Sequence, residues 1–232
     1  MSDPQIARTP PHPLEAMLFD LDGTVADTHG LIRECYDHAI RTHLGQSAPL
    51  DVWQQRVGLP LDTVLLAAYA HFDAPCPPET LAAVKTSYRS HMRTRRDNVT
   101  AFPGVHAALA ELRQHGIRLA IVTTKYREMA LHHMETAGLA EFFEAVVAGD
   151  DCAHTKPHPE PFQKALAALN IAPERAAMVG DSQYDILGAH NAGVYAVAAC
   201  WGTDSRTELL AARPDFSAER PEELLGLLPD KI

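Results

Sequence analysis

Apolar positions along the chain follow two rhythms. Five short runs are apolar at nearly every position: Ala16–Asp20, Ile117–Thr123, Ala145–Ala148, Ala176–Val179 and Val194–Ala198. Runs of this length and density mark strands buried on both faces, as in a parallel sheet. Between the later runs, apolar residues recur every three or four positions, which predicts helices over Val105–His115, Arg127–Ala137, Pro161–Leu169 and Tyr184–Ala192. Gly116, Gly138 and Gly193 follow three of these segments, as glycine often does where a chain leaves a helix. The alternation predicts an α/β fold, a Rossmann-like doubly wound parallel sheet.

Residues 28–98 break the alternation. Helical spacing is kept there, as in Leu31, Cys35, His38 and Ala39, then Val64, Leu65, Ala68 and Phe72, then Leu81, Val84 and Tyr88. No strand interrupts it. The segment reads as an insert of about four helices between the first strand and the rest of the sheet, with the turn Phe102-Pro103-Gly104 marking the return. Residues 1–13, with four prolines, read as a flexible tail. The expected division is therefore a tail (1–13), a sheet domain (14–27 and 99–232) and a helical insert (28–98).

Composition narrows the function more than the fold. The chain has 232 residues, 46% apolar and 22% charged. That is long enough for its own core and unlike disorder, collagen or coiled coil. Its net charge of −10 argues against a nucleic-acid polymer or an anionic membrane as partner, because such a chain repels both at long range. No stretch approaches the ~20 apolar residues of a membrane span. Cys35, Cys76, Cys152 and Cys200 form no CxxC pair, so they read as buried, reduced thiols of a cytoplasmic protein. The 13 histidines are scattered. His132 and His133 are adjacent and diverge on a helix, and Pro157 stands between His154 and His158, so no histidine metal site is expected.

Chemistry gathers at the ends of the predicted strands. Asp20 and Asp22 flank Leu21 at the end of the first, so alternation points both carboxylates the same way. Gly180-Asp181-Ser182-Gln183-Tyr184-Asp185 follows a later strand. Parallel strands bring their carboxyl ends to one edge, where ligands bind in such sheets. Three or four carboxylates at one point require a hard divalent cation, ordinarily Mg²⁺. Thr123, Thr124 and Lys125 end another strand and supply hydroxyls and amides suited to an anion. Lys156 follows a fourth strand, on a backbone stiffened by Pro157, Pro159 and Pro161.

With these residues in place, the chain resembles the haloacid dehalogenase superfamily of phosphohydrolases over residues 14–216. FDLDGT (19–24) with Asp27, then Thr123, Lys156 in KPHPEPF, and GDSQYD (180–185) match its four motifs in order. The insert resembles the superfamily's small cap domain. The resemblance implies Asp20 as nucleophile forming an aspartyl-phosphate, and Asp22 as acid and then base. It implies Mg²⁺ held by Asp20, the Asp22 carbonyl and Asp181, with Asp185 as a direct or outer ligand. Thr123 and the segment Gly23, Thr24 and Thr124 would hold phosphoryl oxygens, and Lys156 would neutralise them.

Within the superfamily, Asp22 speaks against the dehalogenases and phosphonate hydrolases, which lack it. The β-phosphoglucomutases carry a cap histidine where this chain has Ile32, and an arginine in the loop that reads Gly58-Leu59-Pro60-Leu61. The resemblance therefore implies a Mg²⁺-dependent phosphatase of a small phosphorylated metabolite, of the phosphoglycolate phosphatase kind. Alternatives are an inorganic pyrophosphatase, which IVTTKYR (121–127) and GDDCAHTKPHPEPF (149–162) resemble, a phosphomutase, and a non-catalytic phosphate-binding protein. Arg56 and Lys125 are candidate substrate contacts. The basic run Arg89, Arg93, Arg95 and Arg96 reads as a solvated face, and Trp53 and Tyr88 as core. Trp201 is expected to close the rim of the sheet. Monomer and homodimer both stay open.

Overall fold

The structure, a computed structural model, describes residues 9–54, 56, 58–202 and 206–228. The first eight residues of the expected tail lie outside the described residues, as do 229–232 at the end of the sheet domain. In chain order the elements are β1 (Ala16–Phe19), β2 (Ala26–Asp27), α1 (His29–Leu44), α2 (Leu50–Gln54), α3 (Leu61–His71), α4 (Pro78–Arg95), β3 (Thr100–Ala101), α5 (Val105–Gln114), β4 (Arg118–Val122), α6 (Arg127–Thr136), β5 (Ala145–Val147), α7 (Glu160–Leu169), β6 (Ala176–Gly180), α8 (Gln183–Asn191), β7 (Tyr195–Ala199), α9 (Arg206–Ala211) and β8 (Phe216–Ala218).

Six strands form one parallel sheet in the order β5-β4-β1-β6-β7-β8. The chain runs outward from β1 through β4 to β5, then crosses back to place β6 on the other side of β1. This reversal opens a crevice at the carboxyl ends of β1 and β6, where open α/β sheets bind ligands. Phe19 stands level with Ile121 on β4 and Val179 on β6, so the residues that follow these three strands emerge side by side.

Both faces of the sheet are covered, which explains why its strands carry no polar face. Met17, Phe19, Leu119, Ile121 and Val179 pack with Leu109, Leu112 and Met134 of α5 and α6. Leu18, Ala120, Val122 and Met178 pack with Phe162, Leu166 and Ile186 of α7 and α8. Helices α1 to α4 bury a separate core of Tyr36, Ile40, Trp53, Leu65 and Val84. The chain enters and leaves this four-helix insert through β2 and β3, which pair antiparallel, Ala26 with Ala101 and Asp27 with Thr100.

Several details differ from the sequence pattern. β8 and the two-residue β2 and β3 are too short to show a period. Only Cys35 is buried; Cys76, Cys152 and Cys200 are half-buried, and all four are free thiols. The His154 and His158 rings stack at 4.3 Å, although Pro157 was expected to keep them apart. A tight loop, rather than a helix, brings them together. Glu160 staples that loop by accepting hydrogen bonds from the Ala153 and His154 amides.

Candidate active site

Asp20 follows β1 directly and is 5% exposed, while Leu21 beside it is sealed in the core. The alternation anticipated for this strand end is thus present. Beneath Asp20 lies Lys156, 2% exposed. Its ammonium donates to Asp20 Oδ1 at 2.8 Å, to Asp185 Oδ1 at 2.6 Å and to the Val122 carbonyl at 2.9 Å. All three donors of the lysine are therefore used, and the side chain is locked.

Asp181 follows β6. Its Oδ1 accepts from the Thr24 hydroxyl at 3.1 Å. Its Oδ2 is buried with no hydrogen-bond donor; His29 Nε2 lies 3.4 Å away without hydrogen-bond geometry. Asp185 sits one helical turn further on, at the start of α8. There it closes a capping box with Ser182, whose amide and hydroxyl both donate to Asp185 Oδ2. With Lys156 on its other oxygen, Asp185 has donors on both sides.

Asp20, Asp181 and Asp185 bring carboxylate oxygens within 4.8 Å of one another. Three carboxylates face one ammonium, a deficit that a divalent cation would cancel. The electrostatics show the strain. Burial, then the neighbouring carboxylates, push Asp20 up to about 8 against the pull of Lys156. Burial and Asp185 hold Asp181 well above the usual carboxylate range, despite Thr24 and Lys156. Burial alone would lower Lys156, but Asp185 and Asp20 raise it above the ordinary lysine value. The donorless Asp181 oxygen and the hard oxygen ligands fit a cation of the Mg²⁺ or Ca²⁺ type.

Asp22 points into a second polar group. Its Oδ1 accepts from the Thr28 hydroxyl at 2.6 Å and from the Lys125 ammonium. Burial raises Asp22, but Lys125 and the hydrogen bonds from Lys125 and Thr28 outweigh it and hold the carboxyl below its ordinary value. Lys125 is itself anchored by His133 Nδ1 at 2.9 Å. An ammonium can only donate, so His133 is neutral with its proton on Nε2, and that nitrogen is buried without a partner. Burial, then Lys125, lower His133 to about 3.

The glycine of the first motif is required by space. Gly23 has φ +80, and a Cβ there would overlap Asp181 Oδ2 and the His29 ring. On the insert, Gly58 has φ +87, and a Cβ would overlap Ser182 Oγ of the sheet domain. The loop carrying Gly58 is therefore seated on the residues that follow β6. On the opposite side Arg93 of α4 pairs with Glu128 of α6 at 3.2 Å, and the Arg89 guanidinium lies 4.6 Å over the Tyr126 ring. These contacts border a partly open cavity of about 470 Å³ between the insert and the sheet.

Asp20, Asp22, Thr124, Lys125 and Arg56 line this cavity. Gly23, Thr123, Lys156, Asp181 and Asp185 do not line it and form the buried layer around Asp20. The expectation for Thr24 needs correction. Its side chain is fully buried and its hydroxyl is committed to Asp181, so it braces that carboxylate rather than meeting a ligand. The Lys125 amide is likewise not free, since it donates to Thr123 Oγ1 at 3.2 Å. Thr123, 4% exposed, keeps its own O–H to donate.

Arg89 and Arg93 border the cavity while staying solvent-exposed, as the reading of this run as a solvated face expects; one helical turn separates them, so both share the side of α4 turned toward α6. Trp53 and Tyr88 belong to the insert's core as expected, yet their edges reach the cavity. Trp201 donates from its indole to the Thr24 carbonyl at 2.9 Å, at the rim of the sheet. The pattern pointed to neither His29 nor His133. A lone histidine beside a motif carries no spacing signal, and only the fold brings each against its partner.

Comparison with known proteins agrees with this geometry. Residues 17–199 match the family described as haloacid dehalogenase-like hydrolase. The pyrophosphatase PpaX of Bacillus cereus strain Q1 is 36% identical over 219 residues, covering 94% of this chain and 97% of its own. A predicted phosphoglycolate phosphatase from Haemophilus somnus shares the fold, with TM-score 0.85 at 22% identity over 93% of this chain and 98% of its own. CbbY from Rhodobacter sphaeroides, solved with phosphate, has TM-score 0.79 at 25% identity over 93% and 99% of the two chains. Four motifs on adjoining strand ends, one buried carboxylate–lysine cluster and a family match spanning most of the sheet lead to one conclusion: this chain belongs to the haloacid dehalogenase-like hydrolase family.

Proposed function

We propose that the protein is a Mg²⁺-dependent phosphatase acting on a small phosphorylated metabolite through an Asp20 aspartyl-phosphate. The observation that carries this reading is Asp20, held by Lys156 and clustered with Asp181 and Asp185, beside a partly open cavity. A carboxylate attacks an anionic phosphate only where its charge and the phosphate's are both offset. Asp20 and Asp181, with the Asp22 carbonyl, would hold the cation, and Asp185 would act behind them by fixing Lys156. The cation would supply charge neutralisation at the phosphoryl oxygens when bound.

The chain's own residues would do the rest. Lys156 orients Asp20 through Oδ1 and leaves Oδ2 to attack phosphorus. Thr123, with the amides near Gly23 and Thr124, would position the phosphoryl oxygens. Asp22 would protonate the leaving oxygen and later take a proton from the attacking water. Lys125 and Thr28 both hold Asp22 by Oδ1, so Oδ2 would be the oxygen that carries that proton. The helical insert would serve as the cap that excludes water.

A pyrophosphatase is the second reading, favoured by the 36% identity with PpaX. A phosphomutase is disfavoured, because Ile32 and Leu61 present apolar side chains to the cavity. The test is release of inorganic phosphate from p-nitrophenyl phosphate with and without Mg²⁺. Activity that survives Asp20→Asn, or that is indifferent to EDTA, refutes the mechanism.

A further inference from the structure

Among the described residues, a second group of metal-ligating side chains comes together away from Asp20. His154, His158 and Glu160 each bring a ligand atom within 4.8 Å of the others. The two groups differ in chemistry. The buried cluster around Asp20 offers oxygen alone, which suits a hard cation. The loop group offers two imidazoles and one carboxylate, a donor set suited to Zn²⁺ and its neighbours in the transition series.

Pro157 rules out the helix that would align the two histidines, yet the turn built around it brings them together. The His158 amide closes that turn on the Thr155 carbonyl at 3.0 Å. Glu160 then organises both rings. Its Oε2 accepts from His154 Nδ1 at 3.0 Å, and its amide donates to His158 Nδ1 at 3.2 Å. Both histidines thus turn the same nitrogen toward one residue. His158 Nδ1 presents its lone pair, since it accepts from an amide. A carboxylate only accepts, so His154 carries a proton on Nδ1; a cation that takes this nitrogen leaves the proton to Nε2. Lys164 pairs with the other carboxylate oxygen, Oε1, at 2.8 Å, and does not occupy Oε2.

The backbone under these side chains is fixed. Glu160 accepts from the Ala153 and His154 amides, and Asn191 of α8 donates to the Pro157 carbonyl at 2.9 Å. The rings themselves lie at the surface, with the His154 side chain 63% exposed and His158 exposed as well, so both are free to turn. A tetrahedral Zn²⁺ about 2.0–2.1 Å from each nitrogen needs donors about 3.3 Å apart, so the ligand atoms close by about 1.5 Å at most.

We infer that His154, His158 and Glu160 form a second metal site, for a transition-metal ion of the Zn²⁺ or Cu²⁺ kind. It is separate from the carboxylate cluster, and its ligands lie on both sides of Lys156 in the chain. The ion ties the loop that carries Lys156 to the start of α7. Thr155 of the same loop borders the cavity.

The test is calorimetric titration of the full-length protein with Zn²⁺ in excess Mg²⁺, for wild type, His154→Ala and His158→Ala. Both substitutions fall on exposed side chains, and melts without Zn²⁺ check that each variant is folded. Each should weaken Zn²⁺ binding by about tenfold or more, at least the cost of losing an outer partner of a metal ligand. Equal Zn²⁺ binding in all three proteins, or no binding in wild type tighter than about 1 mM, overturns the inference. A second readout uses one equivalent of Cu²⁺ and electron paramagnetic resonance. Wild type should show nitrogen hyperfine structure from two imidazoles, diminished in either variant. A wild-type spectrum without nitrogen coupling, or one unchanged in both variants, also overturns it.

Discussion

Replacing Lys156 by methionine tests the charge balance of the site. Methionine keeps most of the volume of the stem but removes the one positive charge among Asp20, Asp181 and Asp185. It also strips donors from two carboxylates and from the Val122 carbonyl. Breaking a buried ion pair by deleting one partner costs about 3–5 kcal/mol. A chain of this size loses about 2–4 °C of Tm per kcal/mol, so Lys156→Met should melt about 6–20 °C lower in EDTA at pH 8. The loss is read by urea unfolding in EDTA at pH 8. A loss below about 1 kcal/mol at pH 8, no larger than that of an exposed pair, refutes the reasoning.

Four further outcomes follow from the same geometry. Asp181→Asn removes a buried oxygen that has no donor, so it should stabilise the metal-free protein and abolish the rise in Tm that wild type shows on adding Mg²⁺. Because the raised carboxylates destabilise the metal-free fold as pH rises, that Mg²⁺-induced rise in wild type should itself be larger at pH 8 than at pH 5 in thermal melts. Gly23→Ala forces a Cβ into Asp181 and His29 from a left-handed backbone, and should lower stability by more than the roughly 1–2 kcal/mol of the backbone alone, with loss of turnover. His133, lowered to about 3, is neutral in the fold, whereas the unfolded chain takes up a proton near 6.5. Stability should thus fall as pH drops from about 6.5 toward 3, and His133→Asn, which keeps an acceptor for Lys125, should flatten that part of the urea-unfolding profile.

The alternation of apolar runs and helical spacing was enough to determine the parallel sheet and the helices that flank it, because strands buried on both faces and amphipathic helices leave different periods in a sequence. Ile117–Thr123 overruns the observed β4 by one residue at each end, and Ala176–Val179 starts with β6 and stops one residue short of its end. The clustering of the candidate site residues was legible for a related reason. Asp20, Asp22, Thr123, Lys156, Asp181 and Asp185 all stand just beyond strands or on short loops after them, and a parallel sheet gathers such positions at one edge.

What the sequence could not determine is who partners whom across that edge. Lys156 could have faced solvent; packing against β4 placed it on Asp20, Asp185 and the Val122 carbonyl together. Thr24 carries the pattern of a phosphate contact, and only tertiary structure turned it onto Asp181. Arg89 and Arg93 form the exposed helix face that their pattern suggests, and only the docking of α4 against α6 gives one the Tyr126 ring and the other Glu128. His29 and His133 belong to the site solely through contacts between separate elements. Periodicity is a local property that burial writes into neighbouring residues. The pairing of charges between segments far apart in the chain depends on distances that only the folded packing sets.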